Sequence, residues 1–193
     1  MPLQYDLKRL SSRKRVFVSL DSNEATCYEF ETRSIKDAIL SKPDILIRQL
    51  HIAEPARLIS AIKFPTNLDD SGSWRPQIEV KNTIEDSQTL RLRDPRILRW
   101  TASIEGQDCA WDLNFSPFVL TIRTVEAKEV LAVFTLRDRW AHGPMGDVGG
   151  LCIMDENMSA DGKKDVICTL SGVLVYWERA GKMVYFGSDG WGM

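Results

Sequence analysis

The chain has 193 residues, of which 44% are hydrophobic and 27% are charged, so it is long enough to bury one sizeable core. Its formal net charge is −2, which excludes a general electrostatic attraction to nucleic acid or to anionic membranes. The first residues lack the apolar core of a signal peptide. No apolar run reaches the roughly 20 residues that a transmembrane helix needs. The sequence therefore predicts a single domain over residues 1–193 that is soluble, not transmembrane, intracellular and cytoplasmic, without a specific nucleic-acid partner.

The chain opens with a basic segment, residues 1–14, which contains Lys8-Arg9 and Arg13-Lys14. Two interpretations remain open for it. One is a cluster for nuclear import or for phosphate contact, and the other is a flexible terminus surrounded by solvent.

From Arg15 onward the pattern is that of short β-strands. Apolar and polar residues alternate in short segments, which follow one another at intervals of roughly ten residues and are separated by turn residues. A short helix or helical turn is predicted for Ser34 to Leu40. A surface loop is predicted for residues 65–76, which are rich in Pro, Gly and Asp. The predicted strands are Arg15–Leu20, Cys27–Phe30, Ile45–Ile52, Arg57–Phe64, Gln77–Thr83, Thr89–Arg93, Ile97–Ile104, Cys109–Phe115, Phe118–Val125, Val130–Leu136 and Gly149–Met154.

The stretch from Asp165 to Trp177 carries no charge after its first residue. A segment that is apolar all round must be enclosed, and it is too short to cross a bilayer. Its β-branched residues and Ser171-Gly172 favour a hairpin with a two-residue turn. Asp165 as an N-cap and Gly181 after the charged pair Glu178-Arg179 favour a helix over Asp165 to Ala180, about 24 Å long.

A family resemblance favours the helix. Residues 96–180 resemble the tubby C-terminal-like fold, which includes the LURP-one-related proteins, the phospholipid scramblases and many short fungal proteins. The resemblance is carried by the Trp-bearing strand at Cys109–Asp112, by Phe118–Arg123, by Val130–Phe134, by Gly149–Ile153 and by the apolar segment that ends in Glu178-Arg179.

The resemblance implies a mainly β fold, in which a closed antiparallel barrel of about ten to twelve strands surrounds the hydrophobic helix Asp165 to Ala180. In such a helix Leu170, Leu174 and Trp177 share one face, and all three should be nearly fully buried. The tail beyond Ala180 would add an edge strand at Met183–Phe186 or pack loosely.

The four cysteines lack a C-x-x-C spacing and are interpreted as free thiols, buried in a reducing compartment. The two histidines, His51 and His142, lie far apart in the chain, so neither a metal site nor a cofactor is expected. A thiolate pair between Cys109 and His142 is the weaker interpretation, because a thiol inside a strand usually belongs to the core.

Polar chemistry is densest where the strand Val130–Leu136 ends. Because side chains alternate along an extended chain, Arg137 and Arg139 would share one face there, while Asp138 and Trp140 would point the other way. One interpretation is a site for an anion or a lipid headgroup with an aromatic neighbour. The other is a charged hairpin end with Trp140 folded onto the core. The predicted ligand-binding residues are Arg137, Arg139, Trp140, Lys163 and Lys164.

Three functions remain open on sequence grounds. The first is a non-catalytic binding module for anionic phospholipid headgroups, which the resemblance implies for a basic patch on the barrel wall. The second is a cofactor-independent enzyme of cyclase or isomerase type, with a small apolar ligand in a pocket at the barrel end and Asp138, His142 and Glu156 as acids and bases. The third is a protein-interaction or regulatory subunit. The sequence leaves the oligomeric state open.

Overall fold

The computed structural model describes residues 2–21, 26–33, 42–51, 54–64, 77–82, 87–94, 99–115, 118–137 and 146–188. These residues form twelve strands and one helix. The strands are β1 (Leu3–Arg9), β2 (Lys14–Ser19), β3 (Cys27–Thr32), β4 (Ile45–His51), β5 (Glu54–Lys63), β6 (Gln77–Asn82), β7 (Ser87–Asp94), β8 (Arg99–Ile104), β9 (Gln107–Phe115), β10 (Phe118–Thr124), β11 (Val130–Leu136) and β12 (Gly146–Ile153), and the helix is α1 (Ala160–Ser188).

Each strand pairs in antiparallel orientation with the next one along the chain, and β12 returns to pair with β1. The pairing of β12 with β1 places Tyr5 opposite Leu151 and closes the sheet into a barrel. A closed barrel leaves no unpaired edge. The predicted fold class, a closed antiparallel barrel with a C-terminal helix, is confirmed.

Alternation along each strand separates the core from the outer wall. In β10, Phe118, Leu120 and Ile122 are buried, whereas Val119 and Thr121 between them are only partly buried. Successive side chains of a strand point to opposite faces of the sheet. The inward row of each strand therefore packs on whatever fills the barrel, and the outward row forms the wall.

The helix fills the barrel. Every residue from Val166 to Val175 is buried, on all sides of the helix. The Trp111 indole Nε1 donates a hydrogen bond to Thr169 Oγ1 at 3.0 Å, and Thr169 Oγ1 donates to the carbonyl of Asp165 at 2.8 Å. The apolar segment is thus a helix and not a hairpin, because only a helix satisfies its own backbone while every side is enclosed.

The helix is longer than the sequence predicts at both ends. It begins at Ala160, where Ser159 serves as the N-cap and its Oγ accepts the Gly162 N–H at 3.0 Å. It ends at Ser188, so the predicted edge strand at Met183–Phe186 is wrong. Asp165 lies inside the helix, where its Oδ1 accepts a hydrogen bond from Asn82 Nδ2 at 3.1 Å.

The helix makes different contacts at the two ends of the barrel. At the helix-entry end, which includes the β8–β9 and β10–β11 turns, Glu105 Oε1 accepts the Ser159 N–H at 2.9 Å. At the helix-exit end, which includes the β1–β2 turn, the buried Arg15 side chain contacts both oxygens of Glu178, at 2.6 and 2.7 Å. The Phe118 and Trp177 ring centroids lie 4.6 Å apart at the same end.

The basic N-terminal segment is not a flexible terminus. Leu3, Tyr5 and Leu7 alternate inward along β1, and Tyr5 and Leu7 are buried. Because β1 joins β12 to β2, it completes the barrel. The alternation of β1 is visible in the sequence, but the lysines and arginines in and after it favoured the interpretation of the segment as a terminus surrounded by solvent.

Other expectations have mixed outcomes. Trp100 and Trp111 are core residues, and Leu170 and Leu174 are buried as predicted. Trp177 is only partly buried, because it lies where the helix leaves the barrel. The predicted helix at Ser34 to Leu40, the predicted loop at residues 65–76 and Trp140 lie outside the described residues.

Truncation of Leu174 tests the enclosure of the helix. Leu174→Ala removes buried methyl groups and leaves a cavity, so we expect a loss of about 2–5 kcal/mol in the free energy of unfolding. Leu58→Ala is the matched control, because Leu58 is 41% exposed on β5, and it should cost about 0.5 kcal/mol or less. Chemical denaturation followed by tryptophan fluorescence measures both. Equal losses in the two variants would mean that the helix is peripheral.

Gly172 lies at a close contact between the helix and the barrel wall. A Cβ at this position would lie 3.0 Å from Ile78 Cγ2 and 3.6 Å from Ile62 Cδ1. Gly172→Leu should therefore overpack the contact with β6 and lower the free energy of unfolding by about 1–3 kcal/mol. Denaturant titration checks this, and an unchanged midpoint would contradict it. For Gly172→Ala the same contact opposes the gain of up to about 1 kcal/mol in helix propensity.

Candidate functional site

Arg137, the first of the predicted ligand-binding residues, already has an acidic partner. Its side chain lies outside the barrel at the helix-exit end, and its Nη2 is 3.0 Å from Asp6 Oδ1. The guanidinium crosses β12 over Gly150, where a Cβ would lie 3.0 Å from Nη2. Asp6 Oδ1 makes no hydrogen bond within the described residues, so the contact is an ion pair only. Arg137 remains half exposed.

Lys163 and Lys164 lie at the other end of the barrel. Both belong to the first turns of α1, at the helix-entry end. Arg137 instead lies on the outer wall, where its N–H bonds to the Val148 carbonyl and its guanidinium lies over Gly150, about 10 Å along β12 from Ile153 at 3.3 Å per residue. Lys164 Nζ is 2.5 Å from Asp161 Oδ1, and this contact lowers the pKa of Asp161. The structure therefore does not bring Arg137 together with the two lysines.

Of the three residues predicted for acid–base catalysis, Asp138, His142 and Glu156, only Glu156 belongs to the described residues. Glu156 is exposed in the turn that follows β12, at the helix-entry end. Asp138, Arg139, Trp140 and His142 lie outside the described residues. The barrel interior, where an apolar substrate would be enclosed, is occupied by the buried helix side chains.

The cysteines have two different environments. All four are free thiols; Cys109 and Cys168 are buried, whereas Cys27 and Cys152 are partly exposed. Burial raises the pKa of the Cys109 thiol, and it raises the pKa of Cys168 to about 12. The thiolate is the nucleophile, so neither buried cysteine is available for nucleophilic catalysis near neutral pH. The prediction of buried thiols holds for two of the four.

A groove of about 580 Å³ lies on the outer wall across β8, β9 and β10. Ala110 forms its floor, because it stands in the outward row of β9 between Thr101 on β8 and Arg123 on β10, which are its cross-strand partners. A methyl group between two larger side chains leaves a depression in the wall. Val119 and Val125 supply apolar surface at its two ends.

Positive charge concentrates in this groove. Its lining contains three cationic side chains, Arg99, Arg123 and Lys128, and one anionic side chain, Asp112. Asp112 is already engaged, since its carboxylate accepts hydrogen bonds from Arg99 Nε at 2.6 Å and from Arg99 Nη2 at 3.1 Å. The lining thus has a net charge of +2 in a chain whose net charge is −2. We call it the wall groove.

The β10–β11 turn positions Lys128. Its φ of 59° is left-handed, and the turn is held by the Thr124 hydroxyl, which accepts the Glu129 N–H at 3.0 Å. Lys128 and Arg123 are both exposed. The groove cannot be predicted from the sequence, because its residues come from different elements and only the strand register makes them neighbours; they include Arg99, Ala110, Arg123 and Lys128. The alternation of β10 does predict that Arg123 points outward.

Comparison with protein-family models, curated proteins and solved structures finds no match to this chain. The barrel around a helix, which the tubby-like resemblance implies, is present, but membership of that family stays a hypothesis. In the part of the chain that the structure describes, no helix is long and apolar enough to cross a membrane. The same residues include no group of three or more His, Cys, Asp or Glu side chains placed to hold a metal ion.

Thiol labelling tests the two cysteine environments. Iodoacetamide near pH 8 should modify Cys27 and Cys152 in the native protein, because they are partly exposed, and should leave Cys109 and Cys168 intact. Peptide mass spectrometry identifies the modified sites, and the denatured protein, in which all four should react, is the control. Rapid native labelling of Cys168 would contradict the enclosed helix.

Proposed function

We propose that this protein is a non-catalytic binding module, which holds an anionic ligand in the wall groove. The observation that carries the proposal is the net positive charge of this concave surface on a chain of opposite net charge. Arg123 and Lys128 make no ion pair that the structure records among its described residues, so their charges are available to a ligand. Cationic side chains that converge on one concave surface attract anions and raise their local concentration.

The apolar part of the groove narrows the ligand class. Val119, Val125 and Ala110 provide surface for a hydrophobic portion beside the charged one. An anionic headgroup attached to an apolar body has both features, and an anionic phospholipid is the partner that fits best. The tubby-like resemblance, which implies headgroup recognition on a barrel wall, agrees with this choice of ligand. The residues that line the groove, however, differ from the ligand-binding residues predicted from the sequence.

A binding role also agrees with the packing of the barrel. A cofactor-independent enzyme of the predicted type would need an enclosed pocket in which acids and bases converge. The helix occupies the interior, and Glu156 lies at the helix-entry end, away from the groove lining. These observations favour binding at the wall over catalysis at the barrel end.

Vesicle co-sedimentation at physiological salt tests the proposal. The protein should bind vesicles of phosphatidylcholine with added phosphatidylserine or a phosphatidylinositol phosphate, and it should not bind phosphatidylcholine alone. Arg123→Glu/Lys128→Glu should weaken binding by at least about tenfold, because each basic residue near an anionic surface contributes about 1 kcal/mol. Arg57→Glu/Lys81→Glu is the control: it changes net charge equally, at exposed positions outside the groove.

A second variant separates the groove from general charge attraction. Ala110→Leu leaves the charge unchanged but fills the floor, so it should also weaken binding to the anionic vesicles. Circular dichroism confirms that each variant is folded. Equal binding to neutral and anionic vesicles would overturn the proposed function. If Ala110→Leu binds anionic vesicles as tightly as the parent protein does, the wall groove is not the binding site. Titration with water-soluble headgroups distinguishes a lipid surface from a free phosphate.

A further inference from the structure

The end of β12 places two sulfur atoms side by side on the outer wall. The Cys152 thiol donates a hydrogen bond to Met154 Sδ at 3.5 Å. The two residues are two positions apart along an extended chain, so their side chains leave the same face of the sheet, from backbone positions roughly 7 Å apart. The long Met154 side chain spans this gap and reaches the thiol. We call these two residues the sulfur pair.

The backbone of the sulfur pair is fixed, and its sulfur atoms are accessible. Cys152 lies between Gln4 on β1 and Val133 on β11, and the Met154 N–H donates to the Leu131 carbonyl at 2.8 Å. Ligands held on paired strands are positioned more precisely than ligands on loops. Cys152 is partly exposed and Met154 is 45% exposed, so an ion from solvent can reach both sulfurs.

The chemistry of the two donors restricts the class of ion. Soft sulfur ligands suit Cu(I), zinc and iron–sulfur clusters. Structural zinc and iron–sulfur clusters take four ligands, which are mainly thiolates and imidazoles. The cross-strand partners of Cys152 are Gln4 and Val133, which supply neither group. One thiolate beside one thioether therefore favours Cu(I).

The separation of the two sulfurs allows one ion to contact both. With a metal–sulfur bond of about 2.3 Å, the length found at zinc thiolates, two sulfurs can lie up to about 4.6 Å apart. The observed separation of 3.5 Å is inside this limit, and it corresponds to an angle of about 100° at the ion for the same bond length. Because the Met154 side chain is exposed, it can rotate and widen this angle.

We propose that the sulfur pair is a Cu(I) site. On binding, the Cys152 thiol loses its proton to solvent and its sulfur bonds to the ion, while Met154 Sδ provides the second bond. No electron is transferred, so the ion remains Cu(I), and the thiolate balances its charge. Because a proton is released, the affinity rises with pH. The sulfur pair lies outside the lining of the wall groove, so this proposal does not depend on the proposed function.

Titration of the full chain against a chromophoric Cu(I) chelator, with ascorbate and without oxygen, tests the site. The parent protein should remove one Cu(I) per chain from the chelator, and Cys152→Ser should abolish this uptake. Met154→Leu keeps the size of the side chain. It should lower the affinity at least about tenfold, because even the loss of a group that only orients a ligand costs about 10–100-fold. Cys27→Ser is the matched control, since it removes the other partly exposed thiol, and its affinity should equal that of the parent.

Labelling in the same buffered Cu(I) provides a second measurement within one molecule. Cu(I) should protect Cys152 from iodoacetamide and leave Cys27 reactive, as read by peptide mass spectrometry. Equal protection of both cysteines, or a folded Met154→Leu protein that binds as tightly as the parent, would mean that the ion binds any exposed thiol, and the pair would not be a site. Failure to remove Cu(I) from the chelator overturns the proposal. Zinc bound as tightly as Cu(I) would overturn the assigned class of ion.

Discussion

The whole structure depends on one constraint, which is the enclosure of a helix that is apolar on every side. Residues from Val166 to Val175 carry no charge and are all buried, so no face of this helix is in contact with water. A single sheet face would cover only one side of it. A closed barrel covers all sides at once, and its twelve strands also pair every edge. Two hydroxyl groups inside the barrel are satisfied locally: Thr169 accepts from the Trp111 indole and donates to the Asp165 carbonyl, and Ser171 donates to the Ile167 carbonyl.

Polar contacts tie both ends of the helix to the barrel. At the entry end, Glu105 accepts the Ser159 N–H, and Gly162 leaves room for the Glu105 carboxylate, since a Cβ would lie 2.6 Å from Glu105 Oε1. At the exit end, Arg15 is buried and its guanidinium lies 5.6 Å from the Phe30 ring centroid, next to its ion pair with Glu178. A buried charge is tolerated when it is paired. These contacts give the molecule two distinct ends and so a direction.

Because the helix fills the interior, the proposed binding surface lies on the outside of the barrel. On the wall, the size of individual side chains shapes the surface: Ala110 opens the groove between Thr101 and Arg123. Two adjacent glycines show the same effect on opposite faces of β12. Gly149 makes room for the Phe134 ring, from which a Cβ would be 2.6 Å away, and Gly150 makes room for Arg137. Small residues in this protein therefore mark places where another group passes close to the backbone.

Eleven of the twelve strands, and the need to enclose residues 165–177, can be predicted from local patterns in the sequence. Both are local properties, since alternation has a period of two residues and composition shows that no side of the segment tolerates water. The sequence does not distinguish a helix from a hairpin at Ser171-Gly172, because β-branched residues favour strands in isolation. Only the surrounding barrel, which requires the segment to satisfy its own hydrogen bonds, decided for the helix. For a related reason the sequence does not show where the predicted ligand-binding residues lie: Arg137 packs on the outer face of β12 over Gly150, whereas Lys164 lies in the first turns of the helix. Strand register, a property of pairing between distant segments, created the wall groove instead.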